Sequence, residues 1–481
     1  MEIYVKNLIL PLHIVQWQFE IVAVIQNFDF IFRLILGVLM DIKLSDHFTY
    51  SRLLRFVLPS MAMMLFISTY SVIDGLFVSN FVGKVAFAAT NFIFPVMMIV
   101  GALGFMLGTG GTAIVAKTLG EGDSKLANRY FSLIVYATAI LGTVAAVLGY
   151  IAVPYIARAL GAEGDLLTCS ITYGRINMMA MPFFMLQNVF QSFFIAAERP
   201  KLGFAVTLLA GFTNMVLDAL FIIVFHWGLA GAAIATALSQ VVGGLTALVY
   251  FARKNGSPLH LGTTQFYGNV LWKSCTNGSS ELMNGISSSI LVILYNYQLL
   301  RFIGENGVAA YGVIGYLCFI FSSIFVGYSI GASPITSYHF GAKNPAEVKN
   351  MLKKSTVFTV SVGILMALIS TVFADPIVRL FVGYDQELLN ITKHGLRIYS
   401  IGFAFFGFEI FSSSFFTALN DGLVSAIIAF MRTLIFQSAS VMVLPLLFGV
   451  EWIWASVIVA EIGALITTLI FFKVNRPKYG Y

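Results

Sequence analysis

The chain has 481 residues, of which 59% are hydrophobic and 10% charged, against about 25% charged in a soluble domain. That excludes an ordinary soluble protein and implies a polytopic membrane protein, whose formal charge of +6 is explained by basic residues meeting anionic lipid, with no nucleic-acid partner. Three scattered cysteines, Cys169, Cys275 and Cys318, lack CxxC spacing and exclude a disulfide framework and a zinc site.

In chain order, residues 1–39 form an apolar tract broken by Gln16, Gln18, Glu20, Asp29 and Arg33, without a signal-peptide pattern. Leu36-Gly37-Val38 can be encoded by a bacterial ribosome-binding sequence just before the codon for Met40, so the extension reads as an over-long reading frame. An interfacial amphipathic helix is the competing reading. Six stretches able to cross a hydrocarbon core of about 30 Å then fall near 53–79, 85–116, 128–151, 168–197, 202–225 and 229–251. The polar segment 253–276 reads as a cytoplasmic linker. Six more spans follow near 279–302, 308–340, 348–373, 390–419, 423–448 and 452–472, with a cytoplasmic tail at 474–481. The expected lobes are 40–252 and 277–473.

The second set copies the first. Phe81-Val82-Gly83 returns as Phe302-Ile303-Gly304, Gly110 and Gly120 as Gly331 and Gly341, all 221 residues on, and Phe193-Phe194 as Phe415-Phe416. A solenoid repeats every 20–50 residues or so; a repeat of this length in an apolar chain suits a transporter built from two related halves. Six spans return each half to its starting side, so the halves insert in parallel. The expected fold is an all-α polytopic membrane protein of twelve transmembrane helices in two parallel six-helix repeats. With the first span entering from the cytoplasm, inner segments carry eighteen Lys and Arg and outer ones seven, which orients the core N-in and C-in.

Enzyme signatures are missing. The glycine runs Gly108–Gly111 and Gly120–Gly122 are not followed by Gly-Lys-Ser/Thr, and there is no HExxH or nucleophile elbow. The chemistry lies instead in carboxylates within apolar spans. A charge at the bilayer centre costs about 2.5–3.5 kcal/mol on insertion scales, so such residues are rare and functional. Asp74 lies in the first span, fifteen residues after Pro59; Asp218 lies in the fifth, with Asn214 one turn earlier on the same face. The repeat places Tyr295 and Ser440 at the equivalent positions. The acid pair exists in one half only, which favours ion coupling over structural bonding. In the other half Glu409 sits in the tenth span, and Glu281 is expected near the start of the seventh, as either an interfacial acid or a cavity group. Glu461 has Arg432 as a possible partner. Tyr70, Met178, Met181, Phe183 and Tyr316 could give a cavity adaptable apolar and cation–π contacts.

Asp74 in VIDGLFV after Pro59, Asn214-x-x-x-Asp218, and GLAGAAIAT ending in Thr236 together resemble the multidrug and toxic compound extrusion (MATE) family, over about Met40 to Lys473. GTGGTAIVAKTLGEGD and FVGYSIGASPITSY are most similar to its bacterial MepA-like branch. The resemblance implies a bacterial inner membrane protein with a cation site at Asp74, Asn214, Asp218 and Thr236, and acids of the second lobe, Glu409 and less clearly Glu281, in the substrate cavity. It implies an antiporter, not an enzyme, exporting amphipathic and mainly cationic compounds against H⁺ or Na⁺. A buried Asp can trade a proton, and an all-oxygen set would equally suit Na⁺; both remain open. No cofactor is expected, and the chain is expected to act as a monomer in the bilayer. Pro59 is the expected gating point, because proline permits a bend. The alternatives are a flippase of lipid-linked sugar precursors, which would want a basic cavity, and an intramembrane enzyme.

Overall fold

The computed structural model describes residues 42–383 and 385–481. The extension 1–39, on either reading, lies outside the described residues. Sixteen α-helices and no strands are found among the described residues. They are α1 (Tyr50–Phe77), α2 (Lys84–Gly120), α3 (Ser124–Ala159), α4 (Gly164–Met179), α5 (Met181–Ala196), α6 (Pro200–Asp218), α7 (Gly228–Ala252), α8 (Gly268–Phe302), α9 (Glu305–Gly341), α10 (Pro345–Val372), α11 (Ala374–Val382), α12 (Gln386–Tyr399), α13 (Phe403–Ala418), α14 (Gly422–Phe430), α15 (Gln437–Phe448) and α16 (Glu451–Tyr479). Wider π-helical turns extend α1 (Val78–Val82) and α6 (Ala219–Val224), and one joins α14 to α15 (Met431–Phe436).

Among the described residues, ten helical stretches are long and apolar enough to cross a membrane, and α4 with α5, bent by 57°, makes an eleventh. The twelfth expected crossing is α8. Its 35 residues reach about 50 Å at 1.5 Å per residue, but Asn277, Ser279, Ser280, Glu281 and Asn284 make it too polar to stand out by composition. It starts at Gly268, inside the segment expected to be linker, so Glu281 sits well within the helix and is not an N-terminal acid. At the other end α16 runs to Tyr479, through most of the expected tail.

The repeat is visible in local chemistry. The Asp123 carboxylate caps α3 by accepting from the Leu126 N–H at 2.9 Å, and 221 residues on the Asn344 side chain caps α10, accepting from the Glu347 N–H at 3.2 Å. Gly83 and Gly304, the same distance apart, precede α2 and α9 with φ of +120° and +90°, a region that a Cβ disfavours. Where α2 crosses α9, a Cβ on Gly120 would fall within 3.0 Å of the Tyr338 carbonyl, and one on Gly341 within 3.0 Å of the Lys117 carbonyl. Tyr338 and Lys117 are again 221 apart. The crossings of α2 on α8 (Gly110 on Ser274 and Gly278) and of α9 on α1 (Gly331 on Val57 and Ser60) follow the same rule. Pro59 is buried at the second of these crossings.

Two segments strap the halves together near these crossings. Ahead of α1, the Phe48 N–H donates to Glu347 of α10 at 2.9 Å, His47 Nδ1 meets the same carboxylate at 2.6 Å, and Lys354 Nζ donates to the Phe48 carbonyl. Ahead of α8, the His260 N–H donates to Asn128 of α3 at 2.7 Å and the Gly262 N–H to Ser132 at 3.0 Å. Each half's first helix is thus led in by a segment tied to the third span of the other half.

Candidate functional site

α1 and α6 pack side by side. Gly211 leaves no room for a Cβ beneath Phe66 and Tyr70, so the α1 aromatics sit directly on α6, with Phe66 and Phe212 rings 5.7 Å apart. This contact brings the two acids together. Asp218 is fully buried and Asn214 is 1% exposed; Asp74 faces them from α1, close enough for the two carboxyls to interact directly. A π turn follows at once after Asp218 and another begins four residues after Asp74, at positions where such turns often mark function.

The polar atoms here are underused. Asp74 Oδ1, both carboxyl oxygens of Asp218, and both amide atoms of Asn214 are buried without a hydrogen-bond partner. Buried polar atoms left unpaired cost about 1–3 kcal/mol each, so the arrangement calls for a bound proton or cation. Thr236 on α7 donates to the Ala232 carbonyl at 3.1 Å, leaving its oxygen able to accept or coordinate. Tyr173 of α4 lies within reach of Thr236 and of both carboxyls; sequence reading missed it. The repeat held a signal, since its equivalent one copy on is Gly395, and Tyr173 therefore belongs to the half that carries the acids. Tyr70 also sits beside Asp74, at this cluster and not at the cavity.

In the second half Tyr295, the counterpart of Asp74, is satisfied by Ser456 at 2.9 Å and stacked on Tyr311 at 4.6 Å. Glu461, fully buried, accepts from Arg432 Nε through both oxygens at 3.0 and 3.1 Å and from Gln437 at 2.9 Å. Glu409 accepts from Thr468 at 2.7 Å, and its other oxygen has no partner.

A cavity of about 420 Å³ opens between α2, α5, α8, α9, α13 and the π turn after α14. Glu281, Asn284, Ser288 and Leu291 line it from α8, a stripe at helical spacing. Ser322, Ser329 and Ser333 line it from α9, Thr109 and Thr112 from α2, and Arg432 from the π turn. Of the residues expected there, Glu281 lines it and the others lie elsewhere. Glu409 points to α16. Met178 and Met181 are fully buried in a core with Val78, Ile93 and Tyr173. The Phe183 backbone packs on Gly244, and Tyr316 is 46% exposed, stacked on Phe381. None of Asp74, Asn214, Asp218 and Thr236 lines the cavity.

A bundle of membrane-crossing helices related by an internal repeat, with a cavity between the halves and a buried acid pair beside it, defines a membrane transporter and not an enzyme. The MatE family model matches residues 59–220 and 282–440, and the chain belongs to this family. The two matched segments fall on equivalent stretches of the repeat. Curated relatives include the multidrug export protein MepA of Staphylococcus haemolyticus, 26% identical over 445 residues, 89% of this chain and 94% of that protein. MepA of Staphylococcus aureus MSSA476 is 25% identical over 439 residues, 88% of this chain and 93% of that protein. Among solved structures, the outward-facing conformation of a multidrug resistance MATE family transporter superposes with a TM-score of 0.85 at 21% identity, covering 90% of this chain and 97% of that one.

Proposed function

We propose that the protein exports amphipathic, mainly cationic compounds from the cytoplasm of a bacterial cell by antiport against H⁺ or Na⁺, oriented N-in and C-in in the inner membrane. The observation that carries this reading is the set of five buried, unpartnered polar atoms on Asp74, Asn214 and Asp218, which the duplication did not copy. Their oxygens, with that of Thr236, form a donor set that suits a proton or a hard monovalent cation. Export of drugs is supported by the names of the MepA relatives, and attraction of cations by Glu281 on the cavity wall. An inward-moving charge supplies about 2.3 kcal/mol per 100 mV.

Because the ion site and the cavity share no residue, the ion and the drug do not compete for one carboxylate. Coupling must pass through the packing of helices, with the ion favouring one arrangement of α1 and α6 over another. Ethidium transport in sealed vesicles, with pH and Na⁺ gradients imposed separately, tests the reading. Gradient-driven ethidium movement is expected with one ion; movement under neither gradient refutes antiport.

A further inference from the structure

Arg432 is 8% exposed, and what exposure it has is to the cavity. A guanidinium carries five N–H donors in a rigid fork. Only Nε is used, held by both oxygens of Glu461 at 3.0 and 3.1 Å; among the described residues no hydrogen bond involves the Nη groups. The orientation is fixed on three sides. Gln437 holds Glu461 at 2.9 Å, Phe406 lies under the guanidinium at 5.0 Å, and Phe406, Thr433 and Gln437 themselves form part of the cavity wall. On the α8 wall of the same cavity the Glu281 carboxyl has no ion pair or hydrogen bond among the described residues.

The cavity therefore has two ends of opposite sign. We infer that it takes amphipathic zwitterions as well as cations, a protonated amine meeting Glu281 and a carboxylate meeting the Nη edge of Arg432. This deepens the export reading and rests on it. A planar fork matches a carboxylate through two parallel N–H···O bonds. Glu461 occupies the Nε edge and leaves that geometry free. Glu409, the nearest further acid, is turned to Thr468. The serine and threonine hydroxyls around the cavity supply neutral donors and acceptors between the two ends, which tolerate many scaffolds.

The test uses two dyes that differ only at the acid: rhodamine B, a cationic xanthene with a free carboxylate, and its ethyl ester, which keeps the cation alone. Binding is read by fluorescence anisotropy with the full-length protein in lipid nanodiscs. Removing Arg432 alone strands Glu461, so the diagnostic variant is Arg432→Gln with Glu461→Gln, which keeps the site neutral. The ratio of rhodamine B affinity to ester affinity is expected to fall about ten-fold or more, the scale of hydrogen bonds to a charged group. Glu281→Gln should weaken both dyes. If the double variant does not fold, Arg432→Lys keeps a cation for Glu461 but lacks the fork, and should also lower the ratio. An unchanged ratio in a folded variant overturns the two-ended site. Export is scored separately: a wild-type protein that shows the Arg432-dependent ratio yet moves neither dye in vesicles refutes export and leaves the site standing.

Discussion

A methyl group added at Gly341 tests the glycine crossing of α2 and α9 as a gate. The Cβ would sit 2.8 Å from the Lys117 carbonyl carbon and 3.0 Å from its Cα. These are backbone atoms of a helix and cannot turn aside as a side-chain tip can. To reach an ordinary contact the helices must part by roughly 1 Å, and overpacking of this kind costs about 1–3 kcal/mol. Only the arrangement with the crossing closed bears that cost. Gly341→Ala should therefore move the equilibrium toward the arrangement with α2 and α9 apart by roughly five-fold to 150-fold. Gly120→Ala strikes the same crossing from the other side, against the Tyr338 carbonyl carbon at 2.9 Å, and the pair should be less than additive because one separation relieves both. Gly312→Ala on α9 is the control, since a Cβ there meets nothing within 4 Å. Spin labels on the exposed Lys125 and Lys349 report the separation by pulsed electron resonance. A longer distance population is expected in Gly341→Ala and Gly120→Ala but not in Gly312→Ala. Identical distributions in all three folded variants would refute the crossing as a gate.

Asp218→Asn should abolish gradient-driven ethidium efflux while leaving the protein in the membrane, because the amide keeps the volume but cannot titrate; normal coupled efflux in vesicles would remove Asp218 from the ion site. Asn214→Ala should weaken the same efflux less, since it removes a partner and not the charge. Arg432→Gln alone should lower stability by about 3–5 kcal/mol, the cost of a buried carboxylate left unpaired, and adding Glu461→Gln should recover most of it in a thermal melt; no recovery would mean that Arg432 acts through packing. Pro59→Ala should shift the α1–α9 separation measured by spin labels, and unchanged distances across an Na⁺ titration would take Pro59 out of gating. Beyond the spans, hydrogen bonds from Arg379 and Lys393 pull the Asp375 carboxyl down from 3.8 to about 2. The folded value lies below the unfolded one, so the contribution is complete above about pH 4 and is lost as pH falls toward 2; the melting difference between wild type and Asp375→Asn should vanish across that window.

The architecture could be read from the chain because duplication leaves its mark on residues whose role is backbone geometry. Gly83 and Gly304 need the left-handed region, and Gly120 and Gly341 admit a facing carbonyl, so neither pair tolerated change in either copy. The two acids of the first half were visible for the opposite reason: charge in an apolar span is conspicuous, and its absence from the second copy marked it as specialised. The cavity was hard to read because its wall is chemically mild. Apolar side chains at membrane depth look alike whether they face lipid, a core or a cavity, which is why Met178 and Met181, chosen for their adaptability, turn out to be fully buried. The start of α8 was misplaced by the same physics. Hydropathy reads a helix by what lipid would accept, and α8 turns Glu281, Asn284 and Ser288 to the cavity, so its polar face was taken for linker. Tyr173 left no hydropathy signal at all, since a tyrosine in a span is unremarkable until the structure sets it beside Thr236 and the two carboxyls.

The distance between the ion site and the cavity is bridged by one helix pair. α1 carries Asp74 on its outer half and, on its inner half, the stretch Val57–Met61 on which Gly327 and Gly331 of α9 rest. Between these points the Ser68 and Ser323 hydroxyls meet at 3.4 Å. The same turns of α9 that touch α1 present Val326, Ser329 and Ile330 to the cavity. On the proposed reading, an ion that changes how α1 packs on α6 therefore changes the surface on which the cavity wall is seated, with no intervening element. Glycine at the contact makes this response steep. A backbone-to-backbone crossing has no side chains to absorb a shift, so α9 either stays in register with α1 or separates from it, and that discreteness is what a transporter needs in order not to leak.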